Sequence, residues 1–111
     1  MEYILPNVVV KPYPIIEYAS IDIVYKGRLT RLKNNKLFIY YGYGCSGLWL
    51  ACENKEMFLA SGCYHATIKI KAYSLLNFCF HDNQGHWDNN KGHNWHIRIE
   101  KISKDTISIN D

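Results

Sequence analysis

Tyr64-His65-Ala66-Thr67-Ile68-Lys69-Ile70-Lys71 changes character at every step. Successive side chains of an extended chain point to opposite faces, so Tyr64, Ala66, Ile68 and Ile70 share one side and His65, Thr67, Lys69 and Lys71 the other. One face is buried and the other is wet.

Toward the C-terminus, Leu75-Leu76-Asn77-Phe78-Cys79-Phe80 is apolar apart from Asn77, as expected of a central strand covered on both sides. Leu76, Phe78 and Phe80 form its inward set. A polar loop, residues 81–94, leads to a second alternating run in which Trp95, Ile97 and Ile99 oppose His96, Arg98 and Glu100. Trp95 is thereby read as core, and Thr106-Ile107-Ser108-Ile109 as closing the last edge.

Toward the N-terminus, Ile21-Asp22-Ile23-Val24-Tyr25 runs into Lys26-Gly27, and Lys33-Asn34-Asn35-Lys36 is a turn before Leu37-Phe38-Ile39-Tyr40-Tyr41-Gly42-Tyr43. Gly42, Gly44 and Gly47 then open a loop before Trp49. Residues 1–20 hold Pro6, Pro12 and Pro14 around Val8-Val9-Val10, an N-terminal extended arm or edge strand, or a linker. No window carries a helical apolar stripe. Short strands at this spacing predict an all-β protein, an immunoglobulin-like antiparallel β-sandwich of a single domain over residues 21–111, with a barrel as the alternative closure.

The length of 111 residues supports one core, and 48% hydrophobic with 21% charged residues excludes a disordered chain. A net charge of +3 without long like-charge runs gives no footprint for nucleic acid or a membrane surface. No segment is long and apolar enough to span a membrane. Met1-Glu2 is followed by a Pro-punctuated stretch instead of the basic and apolar regions of a signal peptide. Cys45, Cys52, Cys63 and Cys79 form no CxxC pair, and their number leaves disulfides and free thiols both open, with Cys79 between Phe78 and Phe80 read as a small hydrophobe.

Aromatic residues reach 14%, with nine Tyr, a surplus that points to a recognition surface. The candidate is His86-Trp87-Asp88-Asn89-Asn90, followed by Gly92 and Asn94. A pyranose presents a flat C–H face edged by hydroxyls, so it needs an aromatic plate with amides and carboxylates at its rim. Trp87 with Asp88, Asn89, Asn90 and Asn94 supplies both, although the asparagines equally suit turns held by side-chain bonds to backbone.

These stretches resemble the starch-binding carbohydrate-binding modules of the family 25 and family 53 type over residues 21–99. The carrying residues are the 21–25 and 37–42 strands, Gly47-Leu48-Trp49, residues 76–80 and Trp87-Asp88-Asn89-Asn90 with Gly92 and Asn94. A similar pattern occurs in the family 21 modules of glycogen-targeting phosphatase subunits. The resemblance implies a non-catalytic α-glucan binder without cofactor, with Trp87, Trp49 and Tyr40 cradling the sugar. Its implied ligands are starch, glycogen or a maltooligosaccharide, and its implied partner is a linked or associated catalytic domain. The module is then extracellular within a larger secreted protein, or cytoplasmic. Tyr40 stands where the family often carries His, and the loop from Gly44 to Gly47 reads as enlarged. From the residues alone, Trp49 also fits a core role beside Leu48 and Leu50, and alternation leaves the face of Tyr40 undecided.

Two other classes compete. The same aromatic surface could meet a polypeptide as a protein-interaction or targeting module. His81, Asp82, His86, Asp88, His93 and His96 could hold metal or perform acid–base chemistry, but they lack HExxH, CxxC and EF-hand spacing. They are read as solvated loop groups with little pKa shift on either aspartate.

Overall fold

The computed structural model describes residues 1–32, 36–45, 47–72 and 74–101. Among the described residues the chain forms two sheets packed face to face, with one 3-10 turn at Arg28–Arg31. In the first sheet the order is β1 (Tyr3–Leu5), β2 (Val8–Lys11), β4 (Ser20–Tyr25), β8 (Cys63–Lys69) and β7 (Phe58–Ala60). In the second it is β3 (Ile15–Ile16), β11 (Trp95–Glu100), β9 (Ser74–His81), β5 (Phe38–Cys45) and β6 (Leu48–Glu56). A short strand, β10 (Trp87–Asp88), also pairs with β9.

The pairings are antiparallel except for β3 with β11, which run parallel. The first twenty residues are thus divided between the sheets. β1 and β3 are edge strands, whereas β2 lies inside its sheet against β4 and buries Val8 and Val10. The indole N–H of Trp95 donates to the Pro6 carbonyl at 2.8 Å, tying this segment to the core.

The alternating runs bury the sides that their periodicity assigns. Tyr64, Ala66, Ile68 and Ile70 on one run, Leu76, Phe78 and Phe80 on the next, and Trp95, Ile97 and Ile99 on the last all join one core. Tyr25 stacks on Phe80 at 4.0 Å and meets Trp95 edge-on at 6.3 Å, so the centre is an aromatic cluster shared by both sheets. Removing such a ring leaves a cavity its neighbours cannot fill, at a cost of about 3–5 kcal/mol. All four cysteines are free thiols, with Cys79 buried.

Two expectations change. Residues 81–94 are not one loop, because His81 ends β9 and Trp87–Asp88 pair back onto it. Gly44 and Cys45 belong to β5 and pair with Trp49 and Leu48, so both are strand residues and not part of an enlarged loop. The edge strand expected at residues 106–109 lies outside the described residues, as does most of the 33–36 turn.

Candidate functional site

The outer face of the second sheet gathers the rings. On β5, Ile39, Tyr41 and Tyr43 are buried in the core, which sends Phe38 and Tyr40 outward. A bulge in β6 opposite Tyr41 and Tyr43, with Ala51 at a φ of 51°, inserts an extra residue. Such a residue reverses which side chains face out. Trp49, paired with Gly44, and Asn54, paired with Tyr40, consequently lie on the same outer face. Leu48 and Leu50 point the other way and remain exposed, so Trp49 is not the core residue of that strand.

Gly42 makes room for the crossing. A Cβ there would lie 2.8 Å from the Cys52 sulfur and 3.0 Å from the Trp49 Cβ, too close for any larger residue without movement of β6. The phenol of Tyr40 is raised above the usual tyrosine pKa, first by its hydrogen bond to the Cys52 side chain.

Tyr40 and Trp49 stack with centroids 5.8 Å apart and planes 23° apart. Trp87 stands edge-on to Tyr40 at 6.2 Å and 87°. The three rings named from the sequence therefore meet on one surface, although they come from three strands. Trp87 is 47% exposed, a large apolar area for a side chain fixed on a strand.

Trp87 is held from both sides of the chain. The tip 82–86 before it is closed by Asp82, whose carboxylate accepts the backbone N–H of Gln84 at 2.8 Å and of His86 at 3.1 Å and the His86 Nδ1 at 2.6 Å. Burial alone would raise the Asp82 pKa, but these bonds outweigh it and hold the group below the usual carboxylate range. Behind Trp87, its carbonyl accepts the Arg28 guanidinium.

Asp88 faces the opposite way. It pairs with inward-pointing Phe80, and its buried carboxylate accepts the Tyr25 hydroxyl and, at 3.1 Å, the Asn90 N–H, with Arg28 at 4.0 Å. The Tyr25 phenol is strongly raised by burial and then by this bond. Asp88 is thus a buried anchor, which corrects its expected place at the sugar rim. Neither aspartate is the solvated loop group the sequence suggested.

The asparagines shape the excursion 89–94 between β10 and β11. Asn89 accepts the Gly92 N–H at 2.9 Å, and the Asn90 amide donates to the Asn94 carbonyl at 3.0 Å. Asn90, Lys91, Gly92 and Asn94 all have positive φ, a region in which Asn and Gly are tolerated best. The Asn94 side-chain amide makes no hydrogen bond among the described residues.

Sequence reading missed His81. It is buried, not solvated, with its ring between Phe38 at 5.2 Å and Trp87 at 4.4 Å. The missed signal was its position: two residues after Cys79 and opposite Phe38, it continues the outward register of β9. Asn54, which bonds His81, escaped because the bulge breaks the alternation of β6. His96 bonds Asn77, whose amide in turn donates to the Gly44 carbonyl at 3.1 Å. Among the described residues no cluster of His, Cys, Asp or Glu is arranged to hold a metal ion.

No family model matches the chain. An alpha-amylase of Clostridium acetobutylicum is 41% identical over 83 residues, covering 73% of this chain and 10% of the amylase. The chain thus spans about a tenth of the length of the curated relative it matches. Among solved structures, the iodinated CBM25 of the Bacillus halodurans amylase, a family 25 carbohydrate-binding module, matches with a TM-score of 0.54 at 22% identity. That match covers 78% of this chain and 90% of the module. The chain shares the module's β-sandwich fold, in line with the resemblance carried by its sequence motifs.

Proposed function

We propose that the chain binds α-1,4-linked glucan without catalysis, with Trp49, Tyr40 and Trp87 as the contact surface. The observation that carries this is the convergence of those three rings on the outer face of one sheet. The fold of an amylase's binding module and the local identity to an amylase support the choice of ligand. Two ring planes set nearly at right angles suit a curved chain of pyranoses better than a flat one. Stacking one sugar hides roughly 80 Å² of apolar surface, worth about 2 kcal/mol, so two platforms contribute about 4 kcal/mol. Stacking alone corresponds to about millimolar binding.

Hydrogen bonds to hydroxyls come from groups the fold leaves available. The Asn54 amide nitrogen and the Asn94 side chain have no other partner among the described residues. Asn89 and Asn90 act first as loop formers and contribute at the rim through what remains of their amides. Joined to an amylase-type catalytic domain, the module keeps that domain on its polymer, and tandem copies add avidity.

Native affinity gels containing amylopectin, glycogen or cellulose test the proposal. Retardation in the two α-glucans and free migration in cellulose is expected. Free migration in all three overturns it, and a shift of Trp fluorescence by a polypeptide but not by maltoheptaose would assign the surface to protein recognition.

A further inference from the structure

We propose that His81 is a positioning residue of the ring face: its neutral imidazole, protonated on Nε2, sets the plane of Trp87 and the direction of the Asn54 amide, so that glucan affinity falls when the ring takes up a second proton. This rests on the α-glucan reading for its ligand, but its structural part stands independently.

The tautomer follows from the hydrogen bonds. Nδ1 lies 3.1 Å from the backbone N–H of Asn83 and can only accept. The proton is therefore on Nε2, which donates to the Asn54 Oδ1 at 2.5 Å. With its oxygen so committed, the Asn54 amide presents its nitrogen as donor. The ring planes of His81 and Trp87 differ by 27° and those of His81 and Phe38 by 13°, so the imidazole is a spacer between two rings. One side chain thus joins β5, β6, β9 and β10 at the edge of the contact surface.

A second proton on Nδ1 turns that acceptor into a donor facing the Asn83 N–H, and the bond must break. Charged and titratable groups surround the ring unequally. Asp82 follows it in sequence and favours the cation, but that carboxylate is already bonded to His86. Glu56 lies across from Phe38 on β6, Lys36 precedes β5 beside Phe38 and Asp82, and Cys79 precedes His81 on the same face of β9. On β10, Asp88 is turned away toward Tyr25. The Trp87 face attracts a cation as well. Desolvation nonetheless outweighs Asp82 and holds the His81 pKa below the ordinary imidazole value. The folded state therefore keeps the neutral ring, and the organised site is lost as pH falls through that lowered pKa.

NMR of the ligand-free protein from about pH 8 down to pH 5 reads the His81 ring nitrogens and the Trp87 indole N–H together, and maltoheptaose titrations over the same range read affinity. Wild type is expected to show one midpoint in all three. His81→Gln retains a donor near the Nε2 position but cannot titrate. It should bind roughly fivefold more weakly at pH 8, for the lost Nδ1 acceptor of the Asn83 N–H, with a flat pH profile. A His81→Gln profile that keeps the wild-type acid loss overturns the proposal, as does a Trp87 indole indifferent to His81 protonation. Should that variant not fold, Asn54→Ala, at an exposed edge-strand position, reports the same link. Its substitution should displace the Trp87 resonance through His81, and an unmoved resonance rejects the coupling. If wild type fails to bind maltoheptaose at pH 8, the α-glucan reading falls, while the ligand-free titration still decides the role of His81.

Discussion

The Tyr25 hydroxyl donates to the buried carboxylate of Asp88, the residue next to Trp87 in sequence but on the opposite side of the sheet. The same hydroxyl accepts the Leu29 N–H at 3.2 Å, so the 3-10 turn, the core and the ring face are linked through one oxygen. A hydrogen bond to a charged group contributes about 1.5–3 kcal/mol. Tyr25→Phe should lower unfolding free energy by that amount in urea titrations. Asp88→Ala should lower it further, because it also strips the Asn90 N–H of its acceptor. A loss below about 0.5 kcal/mol in both variants would show that Asp88 does not anchor the site.

Trp87 separates binding from folding. Half-exposed and bonded through its backbone, it can be removed with little loss of core contact. Trp87→Ala is expected to weaken α-glucan binding by roughly thirtyfold, the equivalent of about 2 kcal/mol of stacking. Its melting temperature should stay close to wild type. Calorimetric titration with maltoheptaose measures the first quantity and thermal melts the second, and unaltered affinity would remove Trp87 from the contact surface.

Gly42 controls Trp49 indirectly. In Gly42→Val the added atoms meet the Cys52 sulfur and the Trp49 Cβ, so β6 must shift and carry its indole off Tyr40. We expect affinity to fall about as far as in Trp49→Ala, although residue 42 offers no surface to a sugar. Retained affinity in Gly42→Val with Trp49 still stacked, read from near-ultraviolet circular dichroism, would show that β6 yields at no cost.

Asp82 should make the hairpin tip sensitive to acid. Its pKa is depressed in the fold, so its contribution is fully present above the ordinary aspartate value and disappears as pH falls through the folded value. Asp82→Asn should therefore melt below wild type at pH 7, and the two curves should converge in strong acid. A gap that stays constant down to about pH 2 would contradict this linkage.

Strand periodicity made the core legible. Tyr64 to Ile70, Leu76 to Phe80 and Trp95 to Ile99 could be assigned to faces because each run keeps its register unbroken. The ring surface was legible only in part. Trp87 could be named from its polar flanks, but a bulge at Ala51 reverses the parity of β6, so no local pattern could place Trp49 and Asn54 together. Asp88 looked like a rim ligand because its burial depends on Tyr25 and Arg28, which are distant in sequence. His81 looked solvated because its strand neighbours, Phe38 and Trp87, come from separate segments.

The three rings ride on strands that are already paired, so the surface stands in shape before any sugar arrives. A ligand then meets no slow rearrangement, and association at the usual 10⁵–10⁷ M⁻¹s⁻¹ combined with about millimolar affinity gives dissociation at roughly 10²–10⁴ s⁻¹. Each contact then lasts roughly 0.1–10 ms. On the proposed function, a module of this kind would stay with a polymer by repeated brief landings instead of one long contact.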